Sequence, residues 1–158
     1  MFYLRENEEP ESVVGRVSAT DRDAGRNADL SYKFASSHNH YFSIDQRTGL
    51  ISSDVTVDRE ELVQENGQDS FQLDVLVSDD GVVPKTASVS VSVVVLDQND
   101  NPPQFGERIY SAEIFENADV GTPVIIVTAK DLDKESNGEV AYSISGDQQG
   151  KGRKMCFI

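Results

Sequence analysis

The side chains of this 158-residue chain that could do chemistry are oxygen donors, and they fall in a few short clusters. The clusters are Glu6-Asn7, Asp21-x-Asp23, Asp58-Arg59-Glu60, Asp79, Asp97-Gln98-Asn99-Asp100-Asn101, Glu116-Asn117 and Asp131-x-Asp133. Several carboxylates together select hard cations. Calcium accepts about six to eight oxygens in flexible geometry, backbone carbonyls included, whereas magnesium demands a tight octahedron and keeps its water. Ligands drawn from separate loops therefore favour calcium. A single pair such as Asp58 and Glu60 reads as a solvated acidic loop. The five consecutive oxygen-bearing side chains of Asp97–Asn101, together with a repeated Asp-x-Asp, do not. An EF-hand is excluded, because its loop needs glycine at the sixth position and glutamate at the twelfth. Counted from Asp131 these places hold Ser136 and Tyr142; counted from Asp21, Gly25 comes one place early and the twelfth residue is Tyr32.

Other chemistries find little support. No Gly-x-Ser-x-Gly elbow and no phosphate-cradling glycine loop occurs. His38 and His40 flank Asn39 in a polar loop, and no third zinc ligand accompanies them. Cys156 is the only cysteine, which rules out an internal disulfide and a cysteine metal site, and it reads as a bystander. A metal-dependent hydrolase would need a pocket and an open metal position, which ligands strung along a linker do not make. The formal charge of 14 − 28 = −14 argues against nucleic acid and against an anionic membrane surface. Apolar stretches such as Val93–Leu96 are far too short to span a bilayer, and Met1–Glu6 carries neither a basic leader nor an apolar core of a signal peptide.

The elements that must position the oxygen donors are strands. From Thr86 to Asp97, Ala87, Val89, Val91, Val93 and Val95 alternate with Ser88, Ser90 and Ser92. Phe71, Leu73, Val75 and Val77 alternate with polar residues in a second strand, and Asp79-Asp80-Gly81 marks the turn between the two. Val13–Ala19, Leu30–Phe34 and Leu50–Ser53 are shorter strands, and no segment sustains a helical period for three turns. Short strands punctuated by turns point to an antiparallel β-sandwich.

The chain also repeats itself. Placing Glu6-Asn7 on Glu116-Asn117, an offset of 116 − 6 = 110, brings Val14, Val17, Ala19, Asp21, Asp23, Asn27 and Tyr32 onto Val124, Val127, Ala129, Asp131, Asp133, Asn137 and Tyr142 without a gap. Chance apolar patterning would not match carboxylates. Two copies of one module are expected, neither of them whole: residues 1–101, lacking the start of the first strand; residues 102–147, the opening part of a second copy; and an atypical basic tail at 148–158, to which no role is assigned. Residues beyond about 105 are expected to be poorly stable without a continuation, because half a sandwich leaves an apolar face uncovered.

These motifs, in this order, resemble cadherin repeats. The resemblance rests on Glu6-Asn7, the Asp-x-Asp pairs, Phe42-Ser43-Ile44-Asp45 ahead of Thr48-Gly49-Leu50-Ile51, Val57-Asp58-Arg59-Glu60, Asp79-Asp80-Gly81 and Asp97-Gln98-Asn99-Asp100-Asn101-Pro102-Pro103, and covers nearly all of residues 1–147. It implies an all-β fold, a seven-stranded Greek-key sandwich per repeat, with Ca2+ held between consecutive repeats. It implies one junction built from Glu6, Asp58 and Glu60 of the first repeat, from Asp97, Asp100 and the Gln98 carbonyl of the linker, from Asn99 and the Asn101 carbonyl facing onward, and from Asp131, Asp133 and the Asn137 carbonyl of the second repeat. An aspartate matching Asp79 would fall at 79 + 110 = 189, beyond the chain, which leaves the last ion of the set short of a ligand. Asp21, Asp23, Asn27 and Asp79 would be the half-site for an upstream neighbour, and Glu116 for a downstream one.

The same resemblance implies an extracellular segment of a plasma-membrane protein engaged in calcium-dependent cell–cell adhesion. Its partners would be neighbouring repeats of the parent chain and a cadherin ectodomain on an opposing cell, homophilic or otherwise, with no nucleic acid and no insertion of this segment into the membrane. Junctional cadherins exchange an N-terminal tryptophan, and this chain has none; it looks like internal repeats of a protocadherin or of a large Fat- or Dachsous-like cadherin. The alternative is a calcium-independent, immunoglobulin-like interaction module with an acidic surface, against which the Asp97–Asn101 linker argues.

Overall fold

The period-two segments fold as expected into one long hairpin. Ser70–Asp79 (β6) and Thr86–Leu96 (β7) pair antiparallel from Ser70 opposite Val94 to Ser78 opposite Thr86. The computed structural model describes residues 1–23, 28–36 and 40–144 and divides the chain into two units, residues 1–98 and 99–158.

In the first unit seven strands form two sheets. Phe2–Arg5 (β1) runs parallel to β7, and Leu30–Phe34 (β3) pairs antiparallel with β6, giving the order β1-β7-β6-β3. Val13–Arg16 (β2), Phe42–Ile44 (β4) and Leu50–Ser53 (β5) form the second sheet, in the order β2-β5-β4. Leu4, Val14, Tyr32, Phe42, Ile51, Leu73, Val75, Val91, Val93 and Val95 from both sheets make one buried cluster. The fold is thus an all-β sandwich. Burial along β7 begins only at Val91: Val89 is 52% exposed, so the alternation read over the whole strand buries just its second half. Ile51 is fully buried. We expect Ile51→Ala to cost the first unit about 3 kcal/mol through lost transfer energy and the cavity left behind, measured as a lower denaturation midpoint by circular dichroism.

The β4–β5 turn shows why its residues are what they are. Asp45 Oδ1 accepts from the Arg47 N–H at 3.0 Å and from the Thr48 N–H and hydroxyl at 2.7 Å each. These bonds, the Thr48 hydroxyl first, hold the Asp45 carboxyl below its ordinary pKa. Gly49 follows at φ 69°, and a Cβ there would meet the Val17 carbonyl oxygen at 2.3 Å, so only glycine fits.

One element departs from the strand-only reading. Arg59–Asn66 is an α-helix (α1) of eight residues. Its start is capped by Asp58, whose side chain accepts from the Glu61 N–H at 2.9 Å, and its end by Gly67 in the left-handed conformation. Glu60 and Glu61 sit in the first turn, where negative charge suits the helix dipole.

The second unit carries Gln104–Phe105 (β8) paired antiparallel with Ala129–Lys130 (β9), and a 3₁₀ turn at Glu135–Gly138. Among its described residues no apolar side chain is buried, and Ile109, Phe115, Val120 and Ile126 are largely exposed. Local geometry recurs at the offset found in the sequence. The Tyr32 hydroxyl accepts from the Ala19 N–H at 3.0 Å, and the Tyr142 hydroxyl from the Ala129 N–H at 2.8 Å. Asp21 Oδ1 accepts from the Asp23 N–H at 2.8 Å, and Asp131 Oδ1 from the Asp133 N–H at 3.0 Å.

Candidate metal centre

At one end of the first sandwich the chain passes through three segments that each deliver a carboxylate. Glu6 directly follows β1, and its own N–H donates to the Leu96 carbonyl at 3.0 Å. Asp58 caps α1 and Glu60 lies in its first turn. Asp97 and Gln98 continue from the end of β7. Glu6 is fully buried. Its Oε2 accepts from the Arg59 N–H at 2.8 Å and its Oε1 from the Gln98 N–H at 2.6 Å, while the Gln98 side-chain amide donates to the Glu6 carbonyl. A buried carboxylate is tolerable only with such partners.

Glu6, Asp58 and Glu60 each offer one carboxylate oxygen, and the three atoms lie within 4.8 Å of one another. Glu60 Oε2 is buried and has no hydrogen-bond partner. Burial first, and the neighbouring Glu6 carboxylate second, push the Glu60 carboxyl up to about 7; Arg59 opposes them without prevailing. The Arg59 guanidinium contacts Glu60 Oε1, and its Nε lies 2.6 Å from Asp97 Oδ1. Burial works against the guanidinium charge, but Glu60 and Asp97 outweigh it and raise the Arg59 pKa above its ordinary value.

Three close carboxylates and an unpartnered buried oxygen fit a hard divalent cation. The donor set is all oxygen, which suits calcium and gives a soft metal nothing to bind. The groove lined by Phe34, Tyr41, Leu62, Phe71 and Leu73 includes none of the three.

The other expected ligands are placed as follows. In the second unit the Asn101 side chain donates to Asp133 Oδ1 at 2.8 Å and to Asp100 Oδ1 at 2.7 Å, and Asp133 is buried. Asp131 orients the Asp133 backbone through the turn already described. Asn137 lies in the 3₁₀ turn, its N–H on the Lys134 carbonyl at 3.1 Å. Asn99, Asp100 and Glu116 are exposed. For the upstream half-site, Asp21 and Asp23 are exposed; Asp79, at the end of β6, is buried and accepts from the N–H groups of Gly81 at 3.1 Å and Lys85 at 3.0 Å. Asn27, His38, Cys156 and the tail 148–158 lie outside the described residues. Sequence reasoning missed Arg59, and it missed the second task of Asp58 as helix cap. The Asp58-x-x-Glu61 spacing was the available signal for that cap.

A seven-stranded sandwich with carboxylates gathered at one end defines a class of β-sandwich modules with an acidic pole. The family model for the cadherin domain matches residues 1–96 and 110–154, and the chain belongs to that family. Its relatives include the mouse (Mus musculus) Cadherin EGF LAG seven-pass G-type receptor 3, 43% identical over 156 residues that cover 93% of this chain and 4% of that protein. Human (Homo sapiens) Protocadherin Fat 1 is 41% identical over 148 residues, covering 92% of this chain and 3% of that protein. The chain therefore spans only a small fraction of the length of these relatives. Among solved structures it resembles the Protocadherin GammaB4 extracellular domain, with TM-score 0.78, 27% identity and coverage of 87% of this chain and 23% of that one. It also resembles mouse Cadherin-23 EC22-24, with TM-score 0.74, 29% identity and coverage of 87% and 42%.

Proposed function

We propose that this chain is a calcium-binding segment of an adhesive extracellular array. The observation that carries the reading is that Glu6, Asp58 and Glu60 each bring one carboxylate oxygen within 4.8 Å of the others. Membership of the cadherin family supports it, as do relatives that are named receptors and protocadherins. We propose residues 1–101 as one repeat and 102–147 as part of the next. Asp97, Gln98, Asn99, Asp100 and Asn101 would serve as linker ligands, Asp131, Asp133 and Asn137 as ligands from the second repeat. Asp21, Asp23, Asn27, Asp79 and Glu116 would face further repeats. Bound calcium would neutralise carboxylates that otherwise repel one another. The chain's own part is to hold those oxygens at the end of β1 and the start of α1, so that neutralisation stiffens the linker and lets repeats act as one strut. The parent protein would be anchored in the plasma membrane, with another cadherin ectodomain as its partner across the cell gap. No catalytic role is proposed.

The test is a thermal melt of the 158-residue chain in chelator and in calcium. Extracellular modules bind with Kd on the order of 10⁻⁴–10⁻³ M. At a calcium concentration about a hundredfold above Kd the linkage contribution is about 2.7 kcal/mol, or roughly 10 °C in Tm for a domain of this size. An unchanged Tm, with no heat of binding in calorimetry, would leave the acidic immunoglobulin-like module as the better reading.

A further inference from the structure

We propose that Arg59 is the positioning residue of the acidic pole. It ties Glu6, Glu60 and Asp97 together, so that the cation-facing oxygens are gathered before any cation arrives. The proposal rests on the calcium reading above.

Arg59 meets three carboxylates from three separate segments of the first unit. Its backbone N–H donates to Glu6 Oε2 at 2.8 Å, its Nε lies 2.6 Å from Asp97 Oδ1, and its terminal nitrogen contacts Glu60 Oε1. Its side chain is 7% exposed, so these contacts operate with little water between the charges. A cation inside an acidic cluster can compete with a metal or brace its ligands, and the geometry separates the two. The guanidinium contacts Oε1 of Glu60, while the buried Oε2 has no hydrogen-bond partner. The guanidinium is also held by Asp97, which follows β7. The planar fork of arginine can serve two carboxylates at once, whereas a lysine ammonium is a single point charge on a flexible stem. The remaining acidic partner, Asp58, is oriented separately by the Glu61 N–H.

Groups that orient metal ligands typically change affinity by about ten- to a hundredfold when removed. The experiment is calcium calorimetry on the whole chain, paired with melts in chelator, for wild type, Arg59→Met and Arg59→Lys. Arg59→Met should bind calcium at least about tenfold more weakly. Arg59→Lys should recover part of the chelator Tm, because the charge is retained, but not the affinity, because one point charge cannot serve both carboxylates. A merely structural role would lower Tm in both conditions and leave Kd unchanged, and that result overturns the proposal. So does tighter binding by Arg59→Met, which is the signature of a competing cation. Should Arg59→Met fail to fold in either condition, Arg59→Lys decides alone: wild-type affinity overturns the proposal and a several-fold loss supports it. A wild type that binds no calcium removes the underlying reading, a result distinct from every variant outcome above.

Discussion

Replacing Glu6 by alanine should lower the stability of the first unit by about 3–5 kcal/mol and abolish its response to calcium, effects read from one pair of denaturation curves in chelator and in calcium. Glu6 is completely buried, yet both of its carboxylate oxygens accept backbone hydrogen bonds. Alanine leaves the buried Arg59 N–H without its acceptor, at about 1–3 kcal/mol, and the partly buried Gln98 N–H without its own, at a smaller cost. It also opens the space between β1, α1 and the end of β7. The calcium response disappears because one of three grouped oxygens is gone, and because the backbone that carries Arg59 and Gln98 loses the anchor they share.

Glu6→Gln is the sharper comparison. The amide has nearly the same shape but only one acceptor oxygen, and its NH₂ would face one of the two N–H donors. It should recover less than half of the lost stability. If Glu6→Gln matched wild type in chelator, the carboxylate would not be needed to hold the backbone, and Glu6 would be only a ligand or only a filler.

The sequence made some of this arrangement legible and hid the rest for identifiable reasons. β3 at Leu30–Phe34 and β5 at Leu50–Ser53 carry the bounds read from the turn residues around them, because glycine and aspartate mark those turns directly. α1 was not legible from periodicity. Eight mostly polar residues cannot show a 3.6 period over three turns, and the helix is held instead by its Asp58 and Gly67 caps. The valine alternation in β7 overstated burial: Val89 is 52% exposed although it pairs with the buried Val75 of β6, so a period of two reports which face a side chain takes and not how deeply it is covered. The acidic residues announced themselves through type and spacing. Arg59 did not, because a single arginine among carboxylates reads as a surface charge. Its contacts, and those of Glu6, join positions 53 and 92 residues apart, which no local pattern can report.

The pH dependence of calcium binding follows from Glu60 and should be large. Burial and the Glu6 carboxylate raise its pKa from 4.5 to about 7, despite Arg59. In the calcium-free protein the folded state therefore favours protonated Glu60. That contribution is fully present below the unfolded value of 4.5 and is lost as pH rises towards 7. In chelator, Tm should fall between pH 5 and pH 7.5 rather than climb. Asp45 acts with opposite sign and at lower pH, since its depressed value costs stability only as pH drops below the ordinary aspartate range. Calcium reverses the slope. A metal ligand must be deprotonated, so each unit of pH below about 7 costs roughly a factor of ten in apparent affinity, about a hundredfold between pH 7 and pH 5, and the dependence flattens above pH 7. Glu60→Gln should flatten the chelator slope and weaken calcium at every pH. A chelator Tm that rises from pH 5 to pH 7.5 would show that Glu60 is ionised in the free protein, with Arg59 already outweighing burial and Glu6 before any cation binds.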